Sequence, residues 1–322
     1  MAGGQERILK RRIKSVQSTK KITRAMELIA ASRIKKAEDR VRAAVPYSEA
    51  ITEAVRDLAA AGGEVQSPLL AGREEVTSVA VIAITADRGL CGGYNSAVLR
   101  AAEGEIKEHV LAGRSYRLYC VGRKAESYFR FRGYAIAQSF TGFTDQPSYE
   151  DARRIARAVE APFVAGDVDL VRIIYTRFVS AGTQEVVVRP IAPLEQEVVA
   201  GGDARPGHDG TASTYEFEPA PNLILDALLP RYVEARVYAA LLNAAASEHA
   251  ARQRAMKAAT DNAEELVKTL SRLANRARQD AITTEIMEIV GGAEALRTGG
   301  HHTGPDQLLP LEMAAIGASS EA

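Results

Sequence analysis

The sequence predicts a Rossmann-like α/β domain inserted between two long terminal helices that pair with each other as an antiparallel α-helical coiled coil. Two observations lead to this fold class. Apolar residues recur at alternating steps of three and four near both ends of the chain, and short β-branched runs alternate with helical stretches between them. With 322 residues, the chain can form one or two domains with their own core.

The N-terminal segment, residues 1–62, is expected to supply one helix of the coiled coil. Its apolar seam consists of Ala30, Ile34, Ala37, Val41, Ala44, Ser48, Ile51, Val55 and Leu58. Pro46 lies inside this helix and is expected to bend it, because proline lacks an N–H and clashes with the preceding turn. The alternative is a break into two helices at that point.

Basic side chains are concentrated in this first helix, although the 41 Lys and Arg of the chain balance its 41 Asp and Glu. Residues 1–42 contain thirteen Lys and Arg against four Asp and Glu. Such a face would attract an acidic partner, nucleic acid or anionic lipid, or it is simply a solvated helix surface. The chain lacks the interleaved aromatic residues expected of a protein that binds single-stranded nucleic acid.

Residues 63–220 are expected to form the α/β domain, with a largely parallel sheet and right-handed crossovers. The expected strands are 76–84, 115–121, 134–139, 169–178 and 185–191, and the expected helices are 95–111, 123–131 and 148–163. A glycine-rich stretch at 199–214, which also contains Pro206, predicts a flexible insertion.

A glycine-rich turn, Gly89 to Gly93, follows the first expected strand and precedes a helix. This order of strand, glycine loop and helix is that of phosphate-binding loops. The spacing matches neither the P-loop nor the Gly-x-Gly-x-x-Gly pattern, because Asn95 and Ser96 follow without a lysine. A tight turn that needs positive φ explains the glycines better. Phosphate binding by a nucleotide-binding α/β enzyme remains the alternative.

The C-terminal segment, residues 221–296, is expected to be the second helix of the coiled coil, on the order of 100 Å long at about 1.5 Å per residue. Its seam is expected to contain Ala235, Tyr238, Leu242, Ala245, His249, Arg252, Met256, Ala259, Ala263, Leu266, Leu270, Leu273 and Ala277. Residues 297–322 are expected to be a disordered tail.

The sequence contains no recognisable catalytic or metal-binding pattern. None of the five histidines has a second ligand at helical spacing, and the two cysteines, Cys91 and Cys120, are too few for a zinc site or a disulfide framework. No nucleophile elbow stands out, so no catalytic residue, cofactor or metal is expected. No apolar run approaches the length of a membrane span, and no secretory leader is recognisable.

Four segments resemble signature segments of the F-type ATP synthase gamma-subunit family: 15–32, 87–95, 256–263 and 279–290. The similarity extends over about residues 1–297, with the segments in the family's order. The resemblance implies a central-stalk rotor subunit that couples proton-driven rotation of the membrane c-ring to ATP synthesis or hydrolysis at the beta subunits. It implies a subunit without catalytic residues of its own.

The resemblance also implies partners, location and contact residues. The partners would be three alpha and three beta subunits, an epsilon subunit and the c-ring, without nucleic acid, on the cytoplasmic side of the cell membrane as a peripheral protein. The positions matching contacts to beta subunits are Arg24, Met26, Arg252, Gln279 and Thr283. Those matching contacts to epsilon and the c-ring are Tyr215, Phe217 and Glu218. The chain departs from the family in the longer 199–214 insertion and in its continuation past residue 297.

Overall fold

The computed structural model describes residues 2–61, 69–70, 72–73, 75–194, 218 and 220–299. The helices are α1 (Ala2–Ala61), α2 (Tyr94–Leu111), α3 (Arg123–Phe131), α4 (Tyr149–Val164) and α5 (Pro221–Gly299). The strands are β1 (Ser78–Ile84), β2 (Ser115–Val121), β3 (Ile136–Phe140), β4 (Leu170–Phe178) and β5 (Gln184–Ala192). The chain divides into two compact units, one with the described parts of Met1–Gln17 and Glu264–Ala322, the other comprising Ser18–Ala263.

The second unit contains a five-stranded sheet in the order β3-β2-β1-β4-β5. The first four strands in this order are parallel, and β5 is antiparallel to β4. The largely parallel α/β sheet predicted from the sequence is therefore confirmed. The chain runs from β1 outward through β2 to β3 and then returns to the other side of β1 with β4.

Both faces of the sheet are covered, which explains why every residue of β1 is buried. Successive side chains of a strand point to opposite faces. Val79 and Val81 therefore pack with α2 and α3, whereas Ala80 and Ile82 pack with α4 and with parts of α1 and α5. Helix α4 begins at a capping box in which Ser148 and Asp151 exchange side-chain and backbone hydrogen bonds.

Helix α1 is continuous through Pro46, and its predicted seam is confirmed. All of the predicted seam positions from residue 30 to residue 58 are buried or half-buried. The three last ones, Ile51, Val55 and Leu58, join the core of the α/β domain. The first part of α5 is buried in the same core, through Leu225, Leu229 and other apolar residues.

Within the second unit, α1 and α5 run antiparallel. Thr23 contacts Thr260, and Val41 and Ser48 lie beside Leu242 and Ala239, so residue numbers rise along one helix as they fall along the other. This direction agrees with the coiled coil predicted from the sequence.

In the first unit, the predicted seam is wrong at two positions. Leu266 and Leu273 are 41% and 48% exposed. Within this unit, Leu270 and Ala274 are buried and Val267 is half-buried. The buried face therefore runs through residues 267, 270 and 274, and the two errors are each a shift of one residue, from 267 to 266 and from 274 to 273.

Candidate functional site

The carboxyl ends of the parallel strands converge on Asp87, which follows β1. Its carboxylate accepts hydrogen bonds from the amides of Gly142 at 2.8 Å, Thr144 at 3.1 Å and Arg123 at 3.0 Å. The Thr144 hydroxyl also donates to it at 3.0 Å. Burial would raise the pKa of Asp87, but these donors outweigh burial and hold the pKa below its ordinary value. One charged carboxylate therefore ties the loops after β1, β2 and β3 together.

The glycine-rich turn adopts the positive backbone angle that the sequence predicts. Gly92 has a φ of +58°, and a Cβ added there would lie 3.7 Å from the Cβ of Ala255 in α5, which is ordinary contact. The backbone angle, and not a lack of space, therefore favours glycine at this position.

Helix α5 meets this turn through a buried ion pair. The Glu248 carboxylate and the Arg252 guanidinium are 2.6 Å apart, and the two residues are 2% and 8% exposed. Arg252 also donates to the carbonyl oxygen of Gly89 at 3.3 Å. Burial raises the pKa of Glu248 in spite of the neighbouring guanidinium. The hydrogen bond from Arg252 to Gly89 attaches α5 to the α/β domain at this turn, and the ion pair within α5 holds the guanidinium in place.

Asp145 bridges both long helices. Its carboxylate lies 2.9 Å from the Arg33 guanidinium of α1, and its carbonyl oxygen lies 3.2 Å from Nε2 of His249 in α5. Burial lowers the pKa of His249 to about 4, so the imidazole is neutral at pH 7 and donates from Nε2 to the carbonyl. Asp145 thus holds α1 and α5 to the loop after β3, and Asp87 holds that loop to the carboxyl edge of the sheet.

The predicted beta-subunit contacts have different surroundings in the second unit. Arg24 has an exposed side chain that pairs with Glu27 at 2.9 Å, and Met26 beside it is half-buried. Arg252, in contrast, is buried against Gly89 and Glu248. Its unusual position in the seam is explained by contacts within the chain. Of the two predicted contacts on α1, Arg24 is exposed and Met26 is only partly exposed.

In the first unit, Gln279 and Thr283 are both exposed, one turn apart on α5. The helix around and beyond them carries large apolar side chains that are also exposed: Ile282, Ile286, Met287, Ile289, Val290 and Leu296. Contiguous exposed apolar residues mark a surface that binds a partner. The sequence pattern did not identify this surface. An apolar residue that packs in the seam and an apolar residue that is exposed cannot be distinguished in the sequence while the position of the partner helix is unknown.

Of the residues predicted to meet epsilon and the c-ring, Glu218 is exposed. Tyr215 and Phe217 lie outside the described residues, as do the 199–214 insertion and the tail from residue 300 onward. The predicted tail begins at residue 297, but α5 continues to Gly299.

Sequence reasoning did not single out Asp87, Asp145 or Glu248 as structural contacts. Asp87 directly follows a buried strand, a position at which polar side chains meet at the edge of a parallel sheet, and this signal was available. Asp145 and Glu248 carry no such signal, because their partners are distant in sequence.

Neither a metal-binding cluster nor a membrane-spanning helix is present in the part of the chain that the structure describes. No group of three or more His, Cys, Asp or Glu side chains there could hold a metal ion. No helix among those residues contains an apolar stretch long enough to cross a membrane.

Comparisons with known proteins agree with this architecture. A family model described as ATP synthase matches residues 5–296. The ATP synthase gamma chain of Parafrankia sp. (strain EAN1pec) is 54% identical over 301 residues, which is 92% of this chain and 99% of the relative. That of Kineococcus radiotolerans is 52% identical over 301 residues, covering 92% of this chain and 98% of the relative.

Solved structures of the same kind share the fold. A chain in the central stalk/c-ring structure of Tetrahymena thermophila mitochondrial ATP synthase is 28% identical, with a TM-score of 0.53, covering 74% of this chain and 99% of that one. A chain in the OSCP/F1/c-ring structure of the Euglena gracilis mitochondrial enzyme has a TM-score of 0.65 at 17% identity, covering 95% and 99%. The sequence matches and the paired terminal helices together lead to one conclusion: this chain belongs to the ATP synthase gamma chain family.

Proposed function

We propose that this chain is the central-stalk rotor subunit of an F-type proton-translocating ATP synthase. In this proposal, rotation of the c-ring turns the α/β domain, and the coiled coil carries the rotation to the nucleotide sites of the beta subunits. The observation that carries the proposal is the pairing of α1 with α5 in a chain that belongs to the ATP synthase gamma chain family.

The attachment of the coiled coil to the α/β domain supports this role. The ion pair between Glu248 and Arg252, the contact of Arg252 with Gly89, and the bridge from Asp145 to Arg33 all lie at the carboxyl edge of the sheet. A rotor needs such contacts because torque applied to the domain must turn the helices without slippage.

The surfaces that would meet partners are exposed. Arg24 on α1 is a basic residue on a helix rich in Lys and Arg, which suits acidic loops of beta subunits. Gln279 and Thr283 lie among exposed apolar side chains of α5, which suits an apolar collar formed by surrounding alpha and beta subunits. Arg252 would reach a beta subunit only if its contacts with Glu248 and Gly89 changed.

We further propose that the chain itself is non-catalytic and lies on the cytoplasmic side of the cell membrane as a peripheral protein. One epsilon subunit and the c-ring would bind near Tyr215, Phe217 and Glu218. These assignments follow from the family resemblance.

The test is purification of the tagged chain from native membranes, followed by identification of the copurifying subunits. We expect alpha, beta and this chain in a ratio of three to three to one, with epsilon and the c-ring in detergent-solubilised complexes. The isolated chain should have no ATPase activity. A chain that purifies without alpha and beta subunits, or that hydrolyses ATP alone, would contradict the proposal.

A further inference from the structure

The last part of α5 presents an apolar stripe that stays uncovered among the residues that the structure describes. The residues of the stripe follow one another at alternating steps of four and three: Ile282, Ile286, Ile289, Ala293 and Leu296. Residues at these steps lie on one face of a helix. All five are exposed, and exposure is 49% at Ile282 and 81% at Leu296. The whole stripe belongs to the first unit.

Helix α1 covers α5 only as far as the beginning of this stripe. Near the start of α1, the pKa of Glu6 is lowered by its hydrogen bond from Lys10 and further by the nearby guanidinium of Arg278 in α5. Ala281 is the last partly covered residue of α5, and each residue from 282 to 297 is exposed. The stripe therefore lies on a part of α5 that extends past its contact with α1.

This part of the helix is weak without a partner. Gly291 and Gly292 lie inside it, and a Cβ added to either would meet nothing within 4 Å. Glycine has a low helix propensity, and most helices in proteins depend on packing of an apolar face. An exposed apolar face on such a helix indicates a surface that another segment binds.

The chain itself has an apolar segment shortly after α5. Residues 308–316, here called the tail segment, read Leu-Leu-Pro-Leu-Glu-Met-Ala-Ala-Ile, and Glu312 is the only charged residue among them. Gly300, Gly304 and Pro305 lie between α5 and the tail segment. Glycine and proline favour a change of chain direction. The sequence therefore allows the tail segment to return toward α5.

The connection is long enough for the tail segment to reach the stripe. Along α5, Ile289 lies about 15 Å and Ile282 about 26 Å from Gly299, at about 1.5 Å per residue. The chain from Gly299 to Leu308 can span up to about 30 Å. A segment on a short linker has an effective concentration on the order of millimolar at its site. The tail segment is thus favoured over a second copy of the chain at lower concentration.

We propose that the tail segment binds the apolar stripe of α5 in the unassembled chain and shields it. The sequence predicts a disordered tail, and a disordered segment that orders on binding forms a contact that a stronger partner can displace. Alpha and beta subunits would be that partner during assembly, and this second step rests on the proposed function. The contact within the free chain does not depend on it.

The test compares the full chain with a variant that ends at Gly299, each purified alone. Ile289→Cys places a thiol in the stripe, and its rate of alkylation by N-ethylmaleimide measures how accessible the stripe is. The native Cys91 and Cys120 are buried, and burial raises the pKa of both thiols, so they react slowly. We expect the introduced thiol to react about fivefold or more faster in the shortened chain, because the tethered segment no longer occupies the stripe.

Glu288→Cys is the matched control for the position of the thiol. Glu288 is exposed and adjacent to Ile289 in sequence, but it lies about 100° away around the helix. The thiol at this position should react at the same rate in the full and the shortened chain. Circular dichroism and melting temperature establish that each variant is folded.

Charge in the tail segment tests the contact without shortening the chain. Leu309→Asp combined with Met313→Asp should raise the alkylation rate in the stripe as removal of the tail does, because a carboxylate without a partner is costly to bury. Ser319→Asp combined with Ser320→Asp adds the same charge outside the tail segment and should leave the rate of the full chain unchanged.

Equal rates in the full and shortened chains would overturn the proposal. Protection that increases with chain concentration would also overturn it, because a second copy would then cover the stripe. Failure of the full chain to copurify with alpha and beta subunits would contradict the rotor function but would not alter these rates. The two proposals can therefore fail separately.

Discussion

The Oγ1 atoms of Thr23 and Thr260 lie 2.8 Å apart at the seam between α1 and α5. Each hydroxyl also contacts a carbonyl oxygen of its own helix, that of Lys20 for Thr23 and that of Met256 for Thr260. Polar pairs inside an otherwise apolar seam favour one register of two helices over others. The pair is informative about the register of the two helices, because the seam residues Ala30 and Ala37 further along α1 have small side chains.

The two threonines should therefore be coupled energetically. We expect Thr23→Val and Thr260→Val to be non-additive, with a coupling free energy of about 0.5–1.5 kcal/mol, the usual net contribution of one hydrogen bond. A double-mutant cycle of urea unfolding measures it. Strict additivity of the two substitutions would mean that the hydroxyl pair contributes nothing to stability.

A charge in the seam should prevent the two long helices from pairing. Ile34→Asp places a carboxylate at a buried position without a partner, which we expect to cost about 3 kcal/mol or more. The variant should fail to copurify with other subunits. Lys36→Asp, at an exposed position two residues away, is the matched control and should copurify normally. Loss of copurification in both variants would implicate the basic face instead of the seam.

Removing Arg252 should be strongly destabilising, because Glu248 would remain buried without its partner. We expect Arg252→Ala to lower the free energy of unfolding by about 3–5 kcal/mol. Combining Arg252→Met with Glu248→Leu should restore most of this loss, since no charge then remains buried. Lys257→Ala, on an exposed face of the same helix, should change stability little. Denaturant unfolding of the three variants measures these differences, and a mild effect of Arg252→Ala would contradict the importance of the ion pair.

Asp87 should make the fold sensitive to acid. Its pKa in the folded chain lies below the ordinary value, which is about 3.9 in unfolded peptides. Its contribution to stability is therefore complete above about pH 4 and is lost as the pH falls toward the lowered pKa.

Asp87→Asn tests this contribution. We expect a loss of about 1.5–3 kcal/mol at pH 7, because an amide nitrogen cannot accept the hydrogen bonds that a carboxylate oxygen accepts. Stability should then depend less on pH below pH 4 than in the unchanged chain. Unfolding measured between pH 3 and pH 7 provides the comparison, and identical pH profiles would show that Asp87 is not linked to acid stability.

Two glycines should respond oppositely to alanine. Gly92→Ala forces a side chain onto a backbone with a φ of +58° and should cost about 1–2 kcal/mol. Gly104 lies inside α2, and a Cβ added there meets nothing within 4 Å. Gly104→Ala should therefore stabilise the fold by about 0.5–1 kcal/mol. Thermal melting distinguishes the two, and a stabilising effect of Gly92→Ala would contradict the assigned turn.

The sequence was sufficient for the fold because its periodicities are long and consistent. Ser115–Val121 and Arg123–Phe131 were predicted with the bounds observed for β2 and α3, since apolar patterns and flanking glycines mark both ends. The face of α5 near Leu266 was predicted wrongly, because hydrophobicity does not distinguish a seam residue from its larger neighbour.

The site residues were less accessible from the sequence, for a different physical reason. The surroundings of Arg252 depend on Gly89, which is distant in the chain, and the Asp145 bridge depends on two helices at once. Pairings of this kind arise only from tertiary packing. The exposure of Arg24, Gln279 and Thr283 agrees with a role in binding partners, but their contacts with beta subunits remain predictions.

The pairing of Thr23 with Thr260 also has a consequence for synthesis of the chain. Thr23 is near the beginning of the chain and Thr260 near its end. The part of α1 that contains Thr23 therefore emerges from the ribosome long before α5, the helix that covers it. The strands of the sheet also precede α5, whose first part covers one face of that sheet, so Ala30 and Ile34 stay exposed to solvent until α5 has been made. During translation this interval is when the chain is most exposed to aggregation, and a chaperone that shields α1 would protect it then.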